Sequence, residues 1–278
     1  MKKVRPKKHL GQHFLTDLSI ARRIADTVDA YPDIPVLEVG PGMGVMTQYL
    51  IQKPREFKAV EIDQESVEYL SGNETLTLRN ATTSLRNGAE APTKADSWLI
   101  SDDFLKMDLN GVFGGRQFVL TGNYPYDISS QIFFKMLDNK DLIPCCTGMI
   151  QREVALRIAA QPGSKTYGIL SVLIQSWYDA EYLFTVDETV FNPPPKVKSA
   201  VIRMTRNGRT DLGCDWQLFK RVVKATFNQR RKMLRGSLKQ IVADPQSLKV
   251  EPEFLTKRPE QLTHEEFVRL TQAVAEVL

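Results

Sequence analysis

The stretch VLEVGPGMG at residues 36–44 decides the fold class. Its first four residues are a short, largely apolar run bounded by Pro35 and Gly40, which predicts a buried strand. Helical character resumes over residues 45–52, so a glycine turn joins a strand to a helix. Glycines at such a turn let backbone amides approach a ligand where a side chain would clash.

Further strands alternate with helical segments along the chain. A helix is predicted over residues 17–30, with Asp17 as its N-cap. The further strands are predicted at residues 57–62, 98–100, 117–120, 148–150, 181–186 and 200–205. Strands that alternate with helices in this way predict an α/β fold with a parallel sheet.

Two segments depart from this alternation. Residues 71–97 are polar and rich in turn residues, which predicts a mobile surface insertion. Residues 206–215 form a polar linker, and the chain from Trp216 onward is helical. One apolar stripe of that helical part is formed by Trp216, Phe219, Val223, Phe227, Leu234, Leu238 and Ile241. The sequence thus predicts an α/β domain over residues 1–206 and a small all-helical domain over residues 207–278.

Composition excludes several classes of protein. The chain has 278 residues, 42% hydrophobic and 25% charged, which is typical of a globular protein rather than a disordered or collagen-like one. It lacks an apolar stretch of the roughly 18 residues that a membrane span needs, and no signal core follows the basic N-terminus. The cysteines, Cys145, Cys146 and Cys214, show no metal-binding spacing. We therefore expect a soluble cytoplasmic protein with reduced thiols and no metal site.

The placement of charge is more informative than the net charge of +4. Residues 1–15 hold five Lys/Arg and residues 216–240 hold eight, with no acid in either segment, whereas the remainder carries 24 basic and 33 acidic residues. Basic segments on a mildly acidic body favour an anionic polymer such as nucleic acid as partner. A solvated helix face with a disordered tail is the alternative.

The glycine turn and the acids after the next strands are typical of a nucleotide site. The spacing Gly-x-Gly-x-Gly differs from the Gly-x-Gly-x-x-Gly of pyrophosphate-binding folds, which favours a cofactor without a diphosphate. Glu61 ends the second strand about 20 residues on, where an acid can accept both ribose hydroxyls. Asp103, which follows the third strand, can accept from the amine of an adenine ring, although Asp102 competes and either acid could be a helix N-cap.

The loop Asn123-Tyr124-Pro125-Tyr126 follows the fourth strand and suits methylation of an aromatic amine. The lone pair of such a nitrogen is delocalised into the ring and has to be recruited. The side-chain carbonyl of Asn123 and the backbone carbonyl of Tyr124 can each accept one N–H, which aims the lone pair at a methyl donor. Pro125 fixes the loop, and Tyr126 can stack on the base. A proline turn that caps a helix at Ser129 is the alternative.

Together these motifs resemble those of the ribosomal RNA adenine dimethyltransferases, S-adenosylmethionine-dependent enzymes that place two methyl groups on adenine N6. The resemblance spans nearly the whole chain and implies the Rossmann-like sheet of class I methyltransferases. GQHFLTD (11–17) is similar to the segment that closes over the methionine end of the cofactor, and FNPPPKVKS (191–199) to the family's Phe-x-Pro-x-Pro-x-Val-x-Ser motif. FNQRRKMLRGSL (227–238) resembles the branch that modifies small-subunit (16S) rRNA.

The resemblance also implies site residues. Cofactor contacts fall on His13, Leu15, Gly40, Gly42, Glu61, Asp103 and Asn123. Catalysis falls on Asn123, Tyr124, Pro125 and Tyr126, with Phe191 packing on the extruded base. RNA contacts fall on Arg230, Arg231, Lys232 and Arg235. Position 124 is Tyr where the family usually has Leu, and position 127 is Asp where Asn is common. Only the backbone carbonyl at 124 is needed for the proposed chemistry, so we expect the first change to be tolerated, although a bulkier ring could narrow the pocket.

The resulting hypothesis is dimethylation of two neighbouring adenines in a hairpin loop near the 3′ end of 16S rRNA, during assembly of the small subunit. The target base is flipped from its stack, and a monomeric enzyme suffices. Two alternatives stay open. A small-subunit assembly factor would depend on binding more than on catalysis, and a DNA adenine methyltransferase would share only the Asn-x-Pro-Tyr loop.

Overall fold

The computed structural model describes Lys7, residues 12–77 and residues 97–278. The predictions for Lys2, Lys3, Arg5 and Lys8 and for most of the 71–97 insertion lie outside the described residues. Within the described start of that insertion, Leu76 is only 4% exposed and packs near Gly44, whereas most of its neighbours in residues 71–77 are exposed as predicted.

The predicted α/β class is confirmed by a seven-stranded, mostly parallel sheet in the described part of the chain. Its strands are β2 (Val36–Val39), β3 (Phe57–Glu61), β4 (Leu99–Ser101), β5 (Val119–Asn123), β6 (Cys145–Gln151), β7 (Tyr178–Val186) and β9 (Ser199–Arg206). They lie in the order β4-β3-β2-β5-β6-β9-β7. The expectation of a wholly parallel sheet is wrong at one end, because β9 runs antiparallel to β6.

The helices, in chain order, are α1 (Leu18–Asp26), α2 (Thr47–Leu50), α3 (Gln64–Ser71), α4 (Ser129–Asp138), α5 (Arg152–Ile158), α6 (Ile169–Gln175), α7 (Trp216–Asn228), α8 (Leu234–Ser237) and α9 (His264–Ala275). Helix α1 begins as predicted, since the Asp17 carboxylate accepts the backbone N–H groups of Ser19 and Ile20. A 3-10 turn at Thr27–Ala30 replaces the end of the predicted longer helix.

The order of the strands explains where the site lies. From β2 the chain proceeds to β3 and β4 on one side, and it then returns to place β5 and β6 on the other side. The order reverses between β2 and β5, which pair in parallel. In open α/β sheets, ligands bind at such a switch point, beyond the carboxyl ends of the strands. Those ends carry the glycine turn, Glu61, Asp103 and Asn123.

A second, two-stranded sheet adjoins this edge. Strand β1 (Phe14–Leu15) pairs antiparallel with β8 (Phe191–Asn192), so Phe14 lies opposite Asn192 and Leu15 opposite Phe191. This pairing unites the two segments that the sequence placed far apart, GQHFLTD and FNPPPKVKS. Both therefore reach the same edge of the α/β unit.

The chain divides into two compact units. The α/β unit comprises residues up to Ala155 together with Glu181–Arg206, and the helical unit comprises Leu156–Ala180 and Asn207–Leu278. The prediction had placed all of residues 1–206 in one domain. Residues 156–180 belong instead to the helical unit, because α6 packs against α7. No local pattern in residues 156–180 signals this long-range packing.

The helical unit has an aromatic core. Phe227 stacks on Phe267 with ring centroids 5.8 Å apart, and Tyr167 contacts Phe227 edge-on at 6.1 Å. The apolar stripe predicted from Trp216 to Ile241 is not one continuous helix. Helix α7 ends at Asn228, and Gln229 and Met233 leave the helical region before α8 begins.

Within the described residues, no helix is long and apolar enough to cross a membrane, and no group of His, Cys, Asp and Glu could hold a metal ion. The cysteines are free thiols. Burial raises the pKa of Cys145 to about 12 and that of Cys214 to about 11, so both stay protonated near neutral pH.

Candidate active site

A cavity of about 270 Å³ lies at the carboxyl edge of the sheet, within the α/β unit. Its lining comes from β1, from the ends of β2, β3, β4 and β5, and from the loops that follow them. The predicted site residues that line it are His13, Leu15, Gly40, Gly42, Glu61, Asp103, Asn123, Tyr124, Pro125 and Tyr126. Residues as far apart in sequence as His13 and Tyr126 thus converge on one cavity.

The glycine turn and Glu61 form one connected structure. Gly40 and Gly42 have φ values of 67° and 56°, a region that favours glycine. The backbone N–H of Gly42 donates to Oε2 of Glu61 over 3.0 Å, and the N–H of Asp63 donates to Oε1 over 2.9 Å. Each carboxylate oxygen has a second lone pair, so Glu61 can still accept two hydroxyl groups of a ribose. Burial raises the pKa of Glu61 above its usual value.

Glu38 lies on β2 beneath this turn and is almost fully buried. The Thr47 hydroxyl donates to its Oε2 over 2.7 Å. Burial raises the pKa of Glu38 to about 8, so its carboxyl group is largely protonated at neutral pH and can itself donate a hydrogen bond. Glu38 lies within the stretch 36–44, but the sequence analysis assigns it no role. The feature that could have indicated a role is an acidic residue in the middle of a short, buried strand.

The loop after β4 carries Asp103. Its Oδ1 accepts the backbone N–H of Leu105 over 3.0 Å, while Lys106 lies 3.1 Å from Oδ2. Asp103 thus supports a local turn, not the start of a helix, and it lines the cavity; its contact with an adenine amine stays a prediction. The sequence reading missed Ile62, which lines the cavity and is 57% exposed. An apolar residue directly after Glu61 was the signal.

The side-chain amide of Asn123 has a defined orientation. Its Nδ2 donates to the backbone carbonyl oxygen of His13 over 3.2 Å. A carbonyl oxygen can only accept, so the nitrogen end must face His13. Oδ1 is thereby left available as a hydrogen-bond acceptor in the loop that lines the cavity.

Two aromatic rings stand beside Asn123. The His13 ring stacks on Tyr126 with centroids 5.6 Å apart and an interplanar angle of 28°. His13 Nδ1 lies 2.9 Å from the carbonyl oxygen of Pro193, so Nδ1 carries the hydrogen and donates it. The Tyr126 hydroxyl contacts Ser199 at the start of β9. The ring is thus held at the cavity from both sides.

The side chain of Tyr124 lies in the protein core. It is 1% exposed, and its ring meets that of Phe133 edge-on, with centroids 5.7 Å apart. The bulk of the ring lies between β5, β6 and α4, and the tolerance of Tyr at this position stays a prediction. Tyr124 is also among the residues that line the cavity.

The structure does not bring Phe191 to the cavity. Its side chain is 4% exposed and belongs to the hydrophobic core, and β8 holds it opposite Leu15. The ring therefore supports β1 from beneath and presents no face on which a base could stack. A motif shows which residue type is needed but not which way the side chain points.

The four basic residues assigned to RNA differ in their surroundings within the helical unit. Arg230 is half-buried, and its Nη2 donates to the Ser164 carbonyl oxygen over 3.1 Å. Arg231, Lys232 and Arg235 are exposed. In the tail, Lys7 bonds to Asp63 and lies 3.2 Å from Glu65 Oε2, so its charge is engaged within the α/β unit.

Comparison with known sequences identifies relatives along the whole chain. A family described as "Ribosomal RNA adenine dimethylase" matches residues 3–275. The protein named "Ribosomal RNA small subunit methyltransferase A" in Bacteroides thetaiotaomicron is 64% identical over 278 residues, covering 100% of this chain and 97% of the relative. The protein of the same name in Flavobacterium johnsoniae is 52% identical over 274 residues, covering 99% and 97%.

Solved structures share the fold. A dimethyladenosine transferase from Plasmodium falciparum superimposes with a TM-score of 0.68 at 21% identity, covering 93% of this chain and 96% of that chain. The 23S rRNA methyltransferase ErmE superimposes with a TM-score of 0.60 at 24% identity, covering 94% and 99%. The fold of this chain, including most of both units, is thus shared with these two solved structures.

Proposed function

The chain belongs to the ribosomal RNA adenine dimethylase family, and on this premise we propose that it dimethylates N6 of two adjacent adenines near the 3′ end of 16S rRNA. One observation carries the proposal. The Asn123 amide is oriented so that Oδ1 can accept, and it stands at the edge where Glu61 and Asp103 line the same cavity.

The residues present fit S-adenosylmethionine, the methyl donor of this family. The glycine turn leaves the backbone at Gly40 open, since a Cβ there would find its nearest neighbour, Pro125, only at 3.9 Å. Glu61 would hold the ribose hydroxyls, and Asp103 the adenine amine. Bound at this edge, the cofactor supplies an electrophilic methyl group on a positively charged sulfur.

The catalytic loop would recruit the lone pair of the target nitrogen. In the first transfer, Oδ1 of Asn123 and the backbone carbonyl oxygen of Tyr124 would accept the two N6 hydrogens, which draws the lone pair out of the conjugated ring. In the second transfer N6 carries one hydrogen, so one of these two acceptors would hold it. Tyr126 lines the cavity and Phe191 does not, so the target base would stack on the ring of Tyr126. Once N6 is alkylated its proton is acidic and passes to water, so the loop needs no strong base.

The helical unit would supply the contact with RNA. Arg231, Lys232 and Arg235 are exposed, and among the described residues none of them forms an ion pair with an acid, so they can neutralise phosphates. The curated relatives are named for the small subunit, and the segment 227–238 resembles the branch that acts on it. The proposed substrate is a hairpin loop of 16S rRNA in the immature small subunit, in the cytoplasm, with a monomer as the acting form.

Methyl transfer from labelled S-adenosylmethionine to small subunits from cells that lack this methylation tests the proposal. Digestion and mass spectrometry then identify the modified nucleoside, with large subunits as the matched control. We expect N6,N6-dimethyladenosine in the small-subunit RNA alone. Tight binding of small subunits without methyl incorporation would overturn the proposal and favour an assembly factor.

A further inference from the structure

Tyr124 is bonded to the neighbouring strand through its side chain. Its hydroxyl donates to the carbonyl oxygen of Thr147 over 3.0 Å and lies 3.2 Å from Sγ of Cys146. Both partners belong to β6. Burial raises the pKa of Tyr124 well above its usual value, so the hydroxyl keeps its proton and acts as a donor.

Two glycines create the slot that this ring fills. Gly122 on β5 and Gly148 on β6 lie directly opposite each other. A Cβ at Gly148 would stand 2.3 Å from the carbonyl oxygen of Gly122 and 2.7 Å from Cε2 of Tyr124. One at Gly122 would stand 2.6 Å from the carbonyl oxygen of Val39 and 3.2 Å from Cε1 of Tyr124. The neighbouring backbone thus excludes a side chain at either position, and the Tyr124 ring occupies the space beside both glycines.

The backbone of Tyr124 is also hydrogen-bonded to β6. Its N–H donates to the carbonyl oxygen of Met149 over 3.0 Å, two residues beyond the acceptor of the hydroxyl. Among the described residues, no hydrogen bond ends on the carbonyl oxygen of Tyr124 itself. One residue thus holds β6 at two points and leaves its own carbonyl available.

We propose that Tyr124 is a positioning residue, whose hydroxyl bond to Thr147 fixes the backbone carbonyl at 124 and the adjacent Asn123 amide in the geometry that recruits the N6 lone pair. This inference rests on the proposed function. A phenylalanine would fill the same slot with nearly the same volume, but only a hydroxyl sets the direction of the ring against β6. Small displacements of aligned catalytic groups cost rate rather than affinity.

The test is Tyr124→Phe in the full chain, with Tyr31→Phe as the matched control. Tyr31 is half-buried in the same unit, its hydroxyl bonds to the Thr205 side chain, and it does not line the cavity. From the usual net worth of one buried hydrogen bond, we expect Tyr124→Phe to lower kcat for methyl transfer about three- to tenfold. KM for the small subunit and Kd for S-adenosylmethionine should stay within about twofold of the wild-type values, because neither constant depends on the orientation of the N6 lone pair.

The control separates positioning from stability. Both variants lose one tyrosine hydroxyl, so similar decreases in unfolding temperature with a loss of kcat in Tyr124→Phe alone would support the inference. Equal kcat in wild type and Tyr124→Phe would overturn it while leaving the proposed function intact. A kcat loss of the same size in Tyr31→Phe would also overturn it, because general destabilisation would then explain both. A wild-type chain without methyl transfer would instead refute the proposed function and this inference with it.

Discussion

The α/β unit and the helical unit hold their functional groups in opposite ways. In the α/β unit the polar groups of the site are buried or half-buried and tied to backbone, as when Glu61 accepts two N–H groups and Asn123 donates to His13. In the helical unit Arg231, Lys232 and Arg235 extend into solvent. Methyl transfer requires groups fixed in advance, whereas attraction to a phosphate backbone requires only charge near the surface.

The comparison teaches that chemistry and RNA contact should be separable by mutation. Changes in the cavity should reduce rate or cofactor affinity and leave RNA affinity intact. Changes on the helical unit should weaken RNA binding, with its salt dependence, and leave the rate at saturation intact.

Asn123→Ala should have the largest effect. Loss of one preorganised hydrogen-bonding group at a reacting centre typically costs about 10²- to 10³-fold in kcat. We expect a loss of that size in single-turnover methyl transfer, with Kd for S-adenosylmethionine and for the small subunit within about threefold of wild type. Asn139→Ala is the control, since that side chain donates to the Lys135 carbonyl at the end of α4. A variant at 123 that keeps half of the activity would refute the role of this amide.

Glu61→Gln should weaken binding of the cofactor and leave the rate of methyl transfer at saturating cofactor largely unchanged. Hydrogen bonds to a charged acceptor typically contribute about 1.5–3 kcal/mol, so Kd for S-adenosylmethionine should rise about ten- to hundredfold by calorimetry. Exposed Glu68→Gln on α3 is the control.

The same carboxylate should make cofactor binding depend on pH. Burial raises the pKa of Glu61, and only the ionised form can accept from both ribose hydroxyls. Affinity of the wild type should therefore fall as the pH drops towards that raised pKa. The Gln variant should show a flatter profile, and identical profiles would contradict the assignment.

Replacing Arg231, Lys232 and Arg235 together by Ala should alter RNA binding alone. If each contacts one phosphate, the slope of log affinity against log salt should decrease by about two to three. Arg230 is left in place because it holds the Ser164 carbonyl within the unit. Alanine at Arg22, Arg116 and Lys140 of the α/β unit removes the same charge and serves as control. An unchanged slope would show that these three residues do not contact RNA phosphates.

The smallest effect concerns the stability of the helical unit. His264 lies 2.6 Å from Nη1 of Arg209 and 3.2 Å from Oγ of Ser176. Burial, and then the charge of Arg209, lower the pKa of His264 from 6.5 to about 4. Between these values the unfolded chain binds a proton that the folded unit does not.

The contribution of His264 to the free energy of unfolding of this unit should therefore decrease as the pH falls from 6.5 to about 4, and this contribution should level off below. Rates of amide hydrogen exchange, measured across this pH range in α7 of the helical unit and in β5 of the α/β unit, would show which unit is destabilised. His264→Gln should flatten the dependence in α7. An equal response of both units, or none, would contradict the linkage.

Much of the α/β unit could be predicted because its signals are local. The buried strand at 36–39, the N-cap at Asp17 and the acid at the end of β3 each follow from neighbouring residues. The cavity could be predicted as well, since parallel strands bring their carboxyl ends to one edge. The antiparallel β9 could not, because strand direction depends on a long connection.

Side-chain direction and long-range packing account for the remaining errors. The motif predicts a Phe191 ring that packs on a base, yet this ring is buried, because pairing of β8 with β1 decides where it points. Residues 156–180 join the helical unit through tertiary contacts that no periodicity shows. Arg230 is half-buried, unlike its exposed basic neighbours, because it bonds to the distant Ser164, and this contact is not visible in the sequence either.

One measurement tests the separation of chemistry from RNA contact most directly. It is the single-turnover rate of methyl transfer by the Arg231, Lys232 and Arg235 triple alanine variant, at small-subunit concentrations high enough to saturate it. We predict a rate within about twofold of wild type, because none of the three residues lines the cavity. A saturating rate as low as that of Asn123→Ala would contradict the account, since the helical unit would then take part in the chemistry itself.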